Sequence, residues 1–526
     1  MVVPELRPWR AARPHVARVA NAVRPRLARA ATAAKPRVAR LARTMSVQVT
    51  RPRTWQYTAG AATAGLALTA VVVTAAGPWD SSGQRTAERD RAAAQEHTGG
   101  TDHGRDSGTT QAAPKPAPSA ASVLTGLGGA GNTVKSAPNG PALADVLGPL
   151  LKDAALGSSR AAEVVDVATG KHLYGTGADT ALTPASTTKI ATAVAALSAM
   201  GSDHRLTTRT ALEPDTGELV LVGGGDPTLT ARKDTEGSAS LRDLATETAE
   251  ALKKDGVRKV TLSYDTTLYA GSGIHPIGAD NDNLAPVSAL TADEGRTDDS
   301  TSGTAIRVEN PALDAARKFA GFLEDAGIKT TSPGPSKATT RAKTLAEVSS
   351  PPLSALVERM LTNSDNDIAE ALARQTAVAT KVRADFEGGG AAILAQLKKL
   401  ELPVSGASFK DGSGLNREDK LTAELLTALL VKAGDPAHPE LRPVLTGLPI
   451  AGFTGTLSGR YTDGAAGVVR AKTGTLTGVN TLAGTVVDQD GRLLAFAFLA
   501  SDTTSKDAAQ SALDRTATAL AACGCR

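Results

Sequence analysis

The chain has 526 residues, 58 of them Lys or Arg and 54 Asp or Glu, for a formal net charge of +4; such a length accommodates about two to four domains. The charge is uneven: residues 1–53 carry 13 basic side chains against one acid, Glu5, leaving −8 for the remainder, which excludes a nucleic-acid-binding surface on the folded part. The two cysteines, Cys523 and Cys525, exclude a disulfide framework or a cysteine-rich metal site.

In chain order, residues 1–54 are a basic low-complexity stretch rich in Ala, Arg and Pro. Met45 opens a compact start, MSVQVTRPR, and reads as an initiator; the rival reading is a basic tail near anionic lipid. Residues 55–78 contain twenty uncharged positions, Thr58 to Gly77, enough to cross a bilayer core as a helix. Arg51 and Arg53 precede this span, so the positive-inside bias places the long C-terminal part outside the cytoplasm. The span reads as a membrane signal-anchor, with a signal peptide cut after Ala76 as the alternative. Residues 79–139, rich in Gly, Ser, Thr, Ala and Pro, read as a disordered linker.

The folded body is expected to begin near Pro141. Glu163–Val167 and His172–Tyr174 read as two strands around a turn. After Pro184 a helical pattern runs from Ser186 to Met200, with Ile190, Val194 and Leu197 on one face. Residues 205–345 mix strand-like pieces (Leu219–Val222) with helix-like ones (Ser240–Lys254) and are assigned to inserted domains. Glu358–Ala379 reads as helices around a turn. Val468–Lys472, Thr481–Val487 and Leu493–Ala500 read as antiparallel strands, followed by an alanine-rich helix, Lys506–Ala522, and a tail at 523–526. Residues 140–204 and 346–522 then form one split main domain.

Three strings in this body carry chemistry, and each occurs once: Ser186-Thr187-Thr188-Lys189, Ser364-Asp365-Asn366 and Lys472-Thr473-Gly474. Ser186 and Lys189 stand at i and i+3 near a helix start, where they share a face. A serine hydroxyl becomes a nucleophile beside a base, and a lysine serves if burial or a second cation, here Lys472, lowers its pKa. Ser364 offers a hydroxyl that can pass a proton to a leaving nitrogen, and Asn366 an amide that can bond the lysine and a substrate peptide group. Lys472, Thr473 and Thr475 on a strand can collect a carboxylate, and Gly474 leaves room for close approach of substrate. Taken singly, the strings reduce to a helix cap with a surface lysine, a second cap and a strand end. The seven histidines are scattered and no Gly-x-Ser-x-Gly occurs, so neither a triad nor a zinc cluster suggests itself. Gly223-Gly224-Gly225-Asp226-Pro227 lacks a following Lys-Ser/Thr and reads as a tight turn rather than a phosphate loop.

As a set the strings resemble those of the penicillin-recognising serine enzymes, and among these the class C low-molecular-mass penicillin-binding proteins, the D-alanyl-D-alanine carboxypeptidase/endopeptidases of peptidase family S13. The longer strings ProAlaSerThrThrLys (184–189), GlyGlyGlyAspPro (223–227), ThrAsnSerAspAsnAspIleAlaGlu (362–370), AspGlySerGlyLeu (411–415), GlyThrLeu (455–457) and ValArgAlaLysThrGlyThrLeu (469–476) are similar to that family's pattern. The resemblance implies an α/β (α+β) fold: a serine β-lactamase/transpeptidase-like domain with an antiparallel sheet flanked by helices, split by smaller inserted domains. The 174 positions between the first two strings agree with such insertions. It implies an acyl-enzyme at Ser186 with Lys189 as base, and Ser364 and Asn366 assisting proton transfer and positioning. Lys472, Thr473 and Thr475 would hold a D-alanine carboxylate, and the backbone N–H groups of Ser186 and Thr475 an oxyanion. The implied partners are peptidoglycan stem peptides ending in D-Ala-D-Ala and, as covalent inhibitors, β-lactams; no metal or organic cofactor is implied. A β-lactamase is a second reading, but Gly412 stands where its deacylating glutamate would be relative to Leu415-Asn416. A catalytically weak wall-binding or antibiotic-sensing protein is a third.

Overall fold

The computed structural model describes residues 140–461 and 464–523. The expected basic stretch, membrane span and linker therefore lie outside the described residues, as does Cys525. Among the described residues no helix is long and apolar enough to cross a membrane.

Helix α1 (Gly140–Leu151) precedes the hairpin β1 (Ser159–Asp166) and β2 (His172–Thr176), and a 3₁₀ turn, Ala185–Thr187, then opens α2 (Thr188–Met200). Next come β3 (Thr207–Leu212), β4 (Glu218–Val222), α3 (Leu241–Lys254), β5 (Lys259–Asp265) and α4 (Pro311–Asp325). The short β6 (Lys329–Thr330) and β7 (Gly334–Pro335) lead to β8 (Lys343–Ser349). Helices α5 (Leu353–Asn363), α6 (Asn366–Ala379), α7 (Phe386–Lys399) and α8 (Ala423–Gly434) follow. Strands β9 (Val469–Leu476), β10 (Val479–Val487) and β11 (Leu493–Ser501) and a closing helix, α9 (Lys506–Ala521), complete the order.

The first sheet is antiparallel, with the order β2-β1-β11-β10-β9. Alternation along β11 explains why it is apolar throughout. Ala495, Ala497 and Leu499 enter one core with α2, α5, α6 and α8. Leu494, Phe496, Phe498 and Ala500 enter another with α1 and α9. Successive side chains point to opposite faces, so a strand covered on both sides has no polar position to spare. The small alanines on the first face let α2 pack close, and residues 188–197 of that helix are all buried. The expectation of a single apolar face on this helix was too narrow: its Ala and Thr side chains are also enclosed, by α6, α7 and α8.

The second sheet has the order β6-β5-β4-β3-β8, with β7 also on β5. It is mixed, because α3 carries the chain across from β4 to a parallel β5. Together with α3 and α4 it encloses its own core around Leu219, Leu244, Phe319 and Leu323. The pairing of β8 with β3 carries this sheet to Ser349, across the boundary drawn at 345 from sequence. At the other end, Cys523 is buried against the α1/α9 core, so packing reaches into the expected tail.

The glycine run 223–225 follows β4 and does more than turn. A Cβ on Gly224 would lie 1.9 Å from the Thr207 carbonyl oxygen, and one on Gly225 2.0 Å from Gln375 Nε2 on α6. Gln375 Nε2 in turn donates to the Gly224 carbonyl at 2.8 Å. The run is thus a docking strip that seats the second sheet on α6.

Candidate active site

Ser186 sits in the 3₁₀ turn just ahead of α2, half-buried. The residue before it, Ala185, has φ 49°, a left-handed conformation that costs an alanine about 1 kcal/mol. Packing holds it there. Thr481 Oγ1 on β10 and Thr187 Oγ1 both donate to the Pro184 carbonyl, at 2.8 and 2.7 Å. The i, i+3 relation does bring Lys189 under the serine: Nζ lies 3.0 Å from Ser186 Oγ. Nζ also donates to Asn366 Oδ1 at 2.7 Å and to the Ser413 carbonyl at 2.7 Å.

Lys189 is fully buried, and burial lowers its pKa from 10.5 to about 8. The acids Asp411, Glu370, Asp365 and Asp419 work in the opposite direction and limit the drop. Desolvation therefore supplies what the sequence reading assigned in part to a second cation. The mutual repulsion appears instead at Lys472, also fully buried, which burial and then Lys189 hold well below the ordinary lysine value.

Ser364 ends α5 in the left-handed region, φ 58°, and Asp365 opens α6 by accepting from Ile368 N at 3.0 Å. The N-terminal cap that this string offers when taken singly is thus Asp365. Freed from capping, the Ser364 hydroxyl accepts from Lys472 Nζ at 2.8 Å. Asn366 Nδ2 donates to the Asn283 carbonyl at 3.1 Å, which fixes its amide with the oxygen toward Lys189. Asp367 accepts from Ala285 N at 2.9 Å and pairs with Arg307 at 2.9 Å, so the segment between β5 and α4 clamps this turn.

Lys472, Thr473, Gly474 and Thr475 lie within β9, the edge strand of the first sheet. Lys472 Nζ donates to the Thr473 carbonyl at 2.8 Å, Thr473 Oγ1 to Thr456 Oγ1 at 3.0 Å, and Gln510 Nε2 to Thr475 Oγ1 at 3.2 Å. The space beside Gly474 is taken by protein rather than kept open for substrate. A Cβ there would stand 2.0 Å from Thr481 Oγ1 and 2.6 Å from the Pro184 carbonyl. Gly474→Ala is expected to destabilise by about 1–3 kcal/mol, as overpacking does. It should also slow acylation by shifting the serine turn; thermal melts and acylation rates measured side by side check this.

The three strings thus converge on two serines, two buried lysines, an amide and an edge strand. The sequence model of the D-Ala-D-Ala carboxypeptidase 3 (S13) family matches residues 143–303 and 296–520. The chain belongs to this family. A carboxypeptidase of Mycobacterium tuberculosis is 36% identical over 78% of this chain and 90% of its own length. Carboxypeptidase DacB of Mycolicibacterium smegmatis is 38% identical over 69% of this chain and 80% of its own. Among solved structures, penicillin binding protein 4 of Haemophilus influenzae shares the fold, with TM-score 0.59 and 23% identity over 71% of this chain and 97% of that one. This S13 protein is a serine hydrolase of the D-Ala-D-Ala carboxypeptidase type.

Several groups in this S13 site escaped the reading of single motifs. The Ser413 carbonyl, a third partner of Lys189, comes from the AspGlySerGlyLeu string, to which no role was attached. Glu370 and Asp411 pin that turn through backbone N–H groups. The histidines are not all scattered, because His275 Nε2 lies 2.9 Å from Asp411 Oδ2. A main-chain oxygen such as that of Asn283 leaves no side-chain signature in a sequence. For Glu370 and Asp411 the recurrence of acids beside the serine–asparagine and glycine-rich strings was the available signal.

Proposed function

We propose that this S13 peptidase removes the terminal D-alanine from peptidoglycan stem peptides through an acyl-enzyme on Ser186, with Lys189 as the base. The observation that carries the reading is the geometry at Lys189 Nζ. A neutral amine has two N–H donors and one lone pair. Asn366 Oδ1 and the Ser413 carbonyl take the two donors, which leaves the lone pair for the Ser186 hydroxyl at 3.0 Å. A pKa near 8 keeps a useful fraction of the amine neutral at physiological pH.

An extended peptide would pair with the edge of β9 from Thr473 onward, past the part that residues 449–451 already cover. Its carboxylate would meet Lys472 and the hydroxyls of Thr473 and Thr475. A bound anion raises the pKa of the buried Lys472, so substrate binding draws a proton onto it. That proton can pass through Ser364 Oγ, 2.8 Å away, to the departing amine. The backbone N–H groups of Ser186 and Thr475 would bind the oxyanion of the tetrahedral intermediate. Water then releases the acyl group.

β-Lactams would acylate the same serine and leave slowly. Gly412 supports this: a side chain there would meet the Ala369 carbonyl at 2.6 Å, so no carboxylate can stand at that position to activate water. The carboxypeptidase reading extends to cross-link cleavage only if the β9 edge admits a longer chain on the leaving side. The uncharged span at 58–77 would hold the enzyme on the outer face of a membrane, where its substrate lies.

Mass spectrometry of the intact protein after penicillin treatment tests the reading. A stoichiometric adduct persisting for minutes, mapped by digestion to the peptide containing Ser186, is expected. Rapid return to the unmodified mass would favour a β-lactamase, and an adduct elsewhere would remove Ser186 as nucleophile.

A further inference from the structure

Residues 266–310 join β5 to α4 without a strand or α-helix. A stretch of that length inside a compact fold is uncommon and tends to serve function. It is anchored deliberately: the buried Arg374 on α6 donates to the carbonyls of Ala270 and Ser272 at 3.0 and 3.1 Å. Beside these lies His275, only 2% exposed, its ring edge-on to Phe386 of α7 at 5.1 Å.

His275 Nδ1 faces the backbone N–H of Ile277 at 3.2 Å, so the ring proton belongs on Nε2. From there it donates to Asp411 Oδ2 at 2.9 Å, with Glu370 Oε1 3.7 Å away. Asp411 also accepts from Gly414 N and Asn416 N, each at 2.6 Å. Glu370, from α6, accepts from Gly412 N at 3.1 Å and Ser413 N at 2.9 Å. The three side chains have the composition of a metal site, but N–H donors already fill the carboxylates and the imidazole presents a proton. A cation does not fit. What the donors do instead is fix four backbone N–H groups of one turn, and that turn aims the Ser413 carbonyl at Lys189 Nζ, 2.7 Å away.

We propose that His275, Asp411 and Glu370 are positioning residues for the general base: by locking the turn 411–416 they hold the Ser413 carbonyl, and through it the lone pair of Lys189, in line with Ser186. The proposal rests on Lys189 being the base. His275 ties a segment inserted between the first two motifs to the base of the main site. The titratable and charged groups facing the set are Arg374 beside Glu370, Lys189, and Asp419, whose carboxyl burial and Asp411 push up to about 10.

The test is the rate of Ser186 acylation by a chromogenic cephalosporin from pH 5 to 10 in the full-length protein, with peptide KM and kcat beside it. His275→Phe keeps the packing on Phe386 but loses the donor; it should lower the limiting acylation rate and kcat by roughly tenfold to a hundredfold with KM unchanged. His275→Asn, which keeps a donor, should recover part of the loss. Asp411→Asn, made in an Asp419→Asn background so that Asp419 cannot ionise in its place, removes a charge that raises the Lys189 pKa, so the acidic limb should move to lower pH by roughly half a unit or more. Parental rates and an unmoved limb would overturn the proposal. So would a loss equal in His275→Phe and His275→Asn with the limb unmoved in Asp411→Asn, since packing alone would explain it. Where His275→Phe does not fold, the two conservative variants carry the test. Lys189→Met run in parallel keeps the readings apart: if it acylates like the parent, the base assignment itself has failed.

Discussion

A protein carrying Ser186→Ala is expected to release D-alanine from a stem pentapeptide at a rate lower by on the order of ten-thousandfold or more, and to gain no mass from penicillin. Loss of the nucleophile removes the covalent route altogether, and binding and the oxyanion donors alone recover only a residual rate. The fold should not register the change. Ser186 is half-buried, its hydroxyl caps no helix, and the turn that carries it is held by Thr187 and Thr481. Melting temperature should therefore stay at the parental value while activity disappears. The other hydroxyl in the site, Ser364, accepts from Lys472 and is more remote in role. D-Alanine release that survives the substitution, or an adduct that moves to Ser364, would sink the mechanism.

Lys189→Met should reduce acylation by about a thousandfold, within the range that a positioned base contributes. Methionine fills much of the aliphatic volume of a fully buried lysine, so the change isolates the amine. It leaves Asn366 Oδ1 and the Ser413 carbonyl without their donor, costing about 1–3 kcal/mol apiece, partly offset because a desolvated amine is no longer buried. The pH dependence is the sharper readout. The base acts only when unprotonated, and its pKa is lowered to about 8. Parental acylation should then rise with pH through a midpoint near 8 and be on the order of tenfold slower one unit below pH 7 than at pH 7. The variant should keep no such limb. A limb that persists unchanged in Lys189→Met would assign the titration, and the base, to another group such as Lys472.

The motifs were legible because their chemistry is written in side chains at short spacing. Ser186 and Lys189 needed only one helical turn to meet, and the strand patterns at 468–472, 481–487 and 493–500 announced an antiparallel sheet. Less legible were contacts between segments far apart in the chain. Asn366 is held by a carbonyl 83 positions away, and His275 meets an acid 136 positions away. Main-chain acceptors such as Asn283 and Ser413 carry no residue-type signal at all. Gly474 shows how a residue singled out for one reason can be needed for another: a side chain there would meet Thr481 and the Pro184 carbonyl of the serine turn.

The sequence by itself determined the reaction class and the family, and it pointed to Ser186 as the nucleophile proposed above, because three short strings in fixed order admit few other uses. Only the tertiary structure decided how the base is tuned. Lys189 loses its proton readily because the fold strips water from it, while four acids drawn from distant segments keep that loss in check. Desolvation depends on everything packed around a group, and no local pattern of residues encodes it.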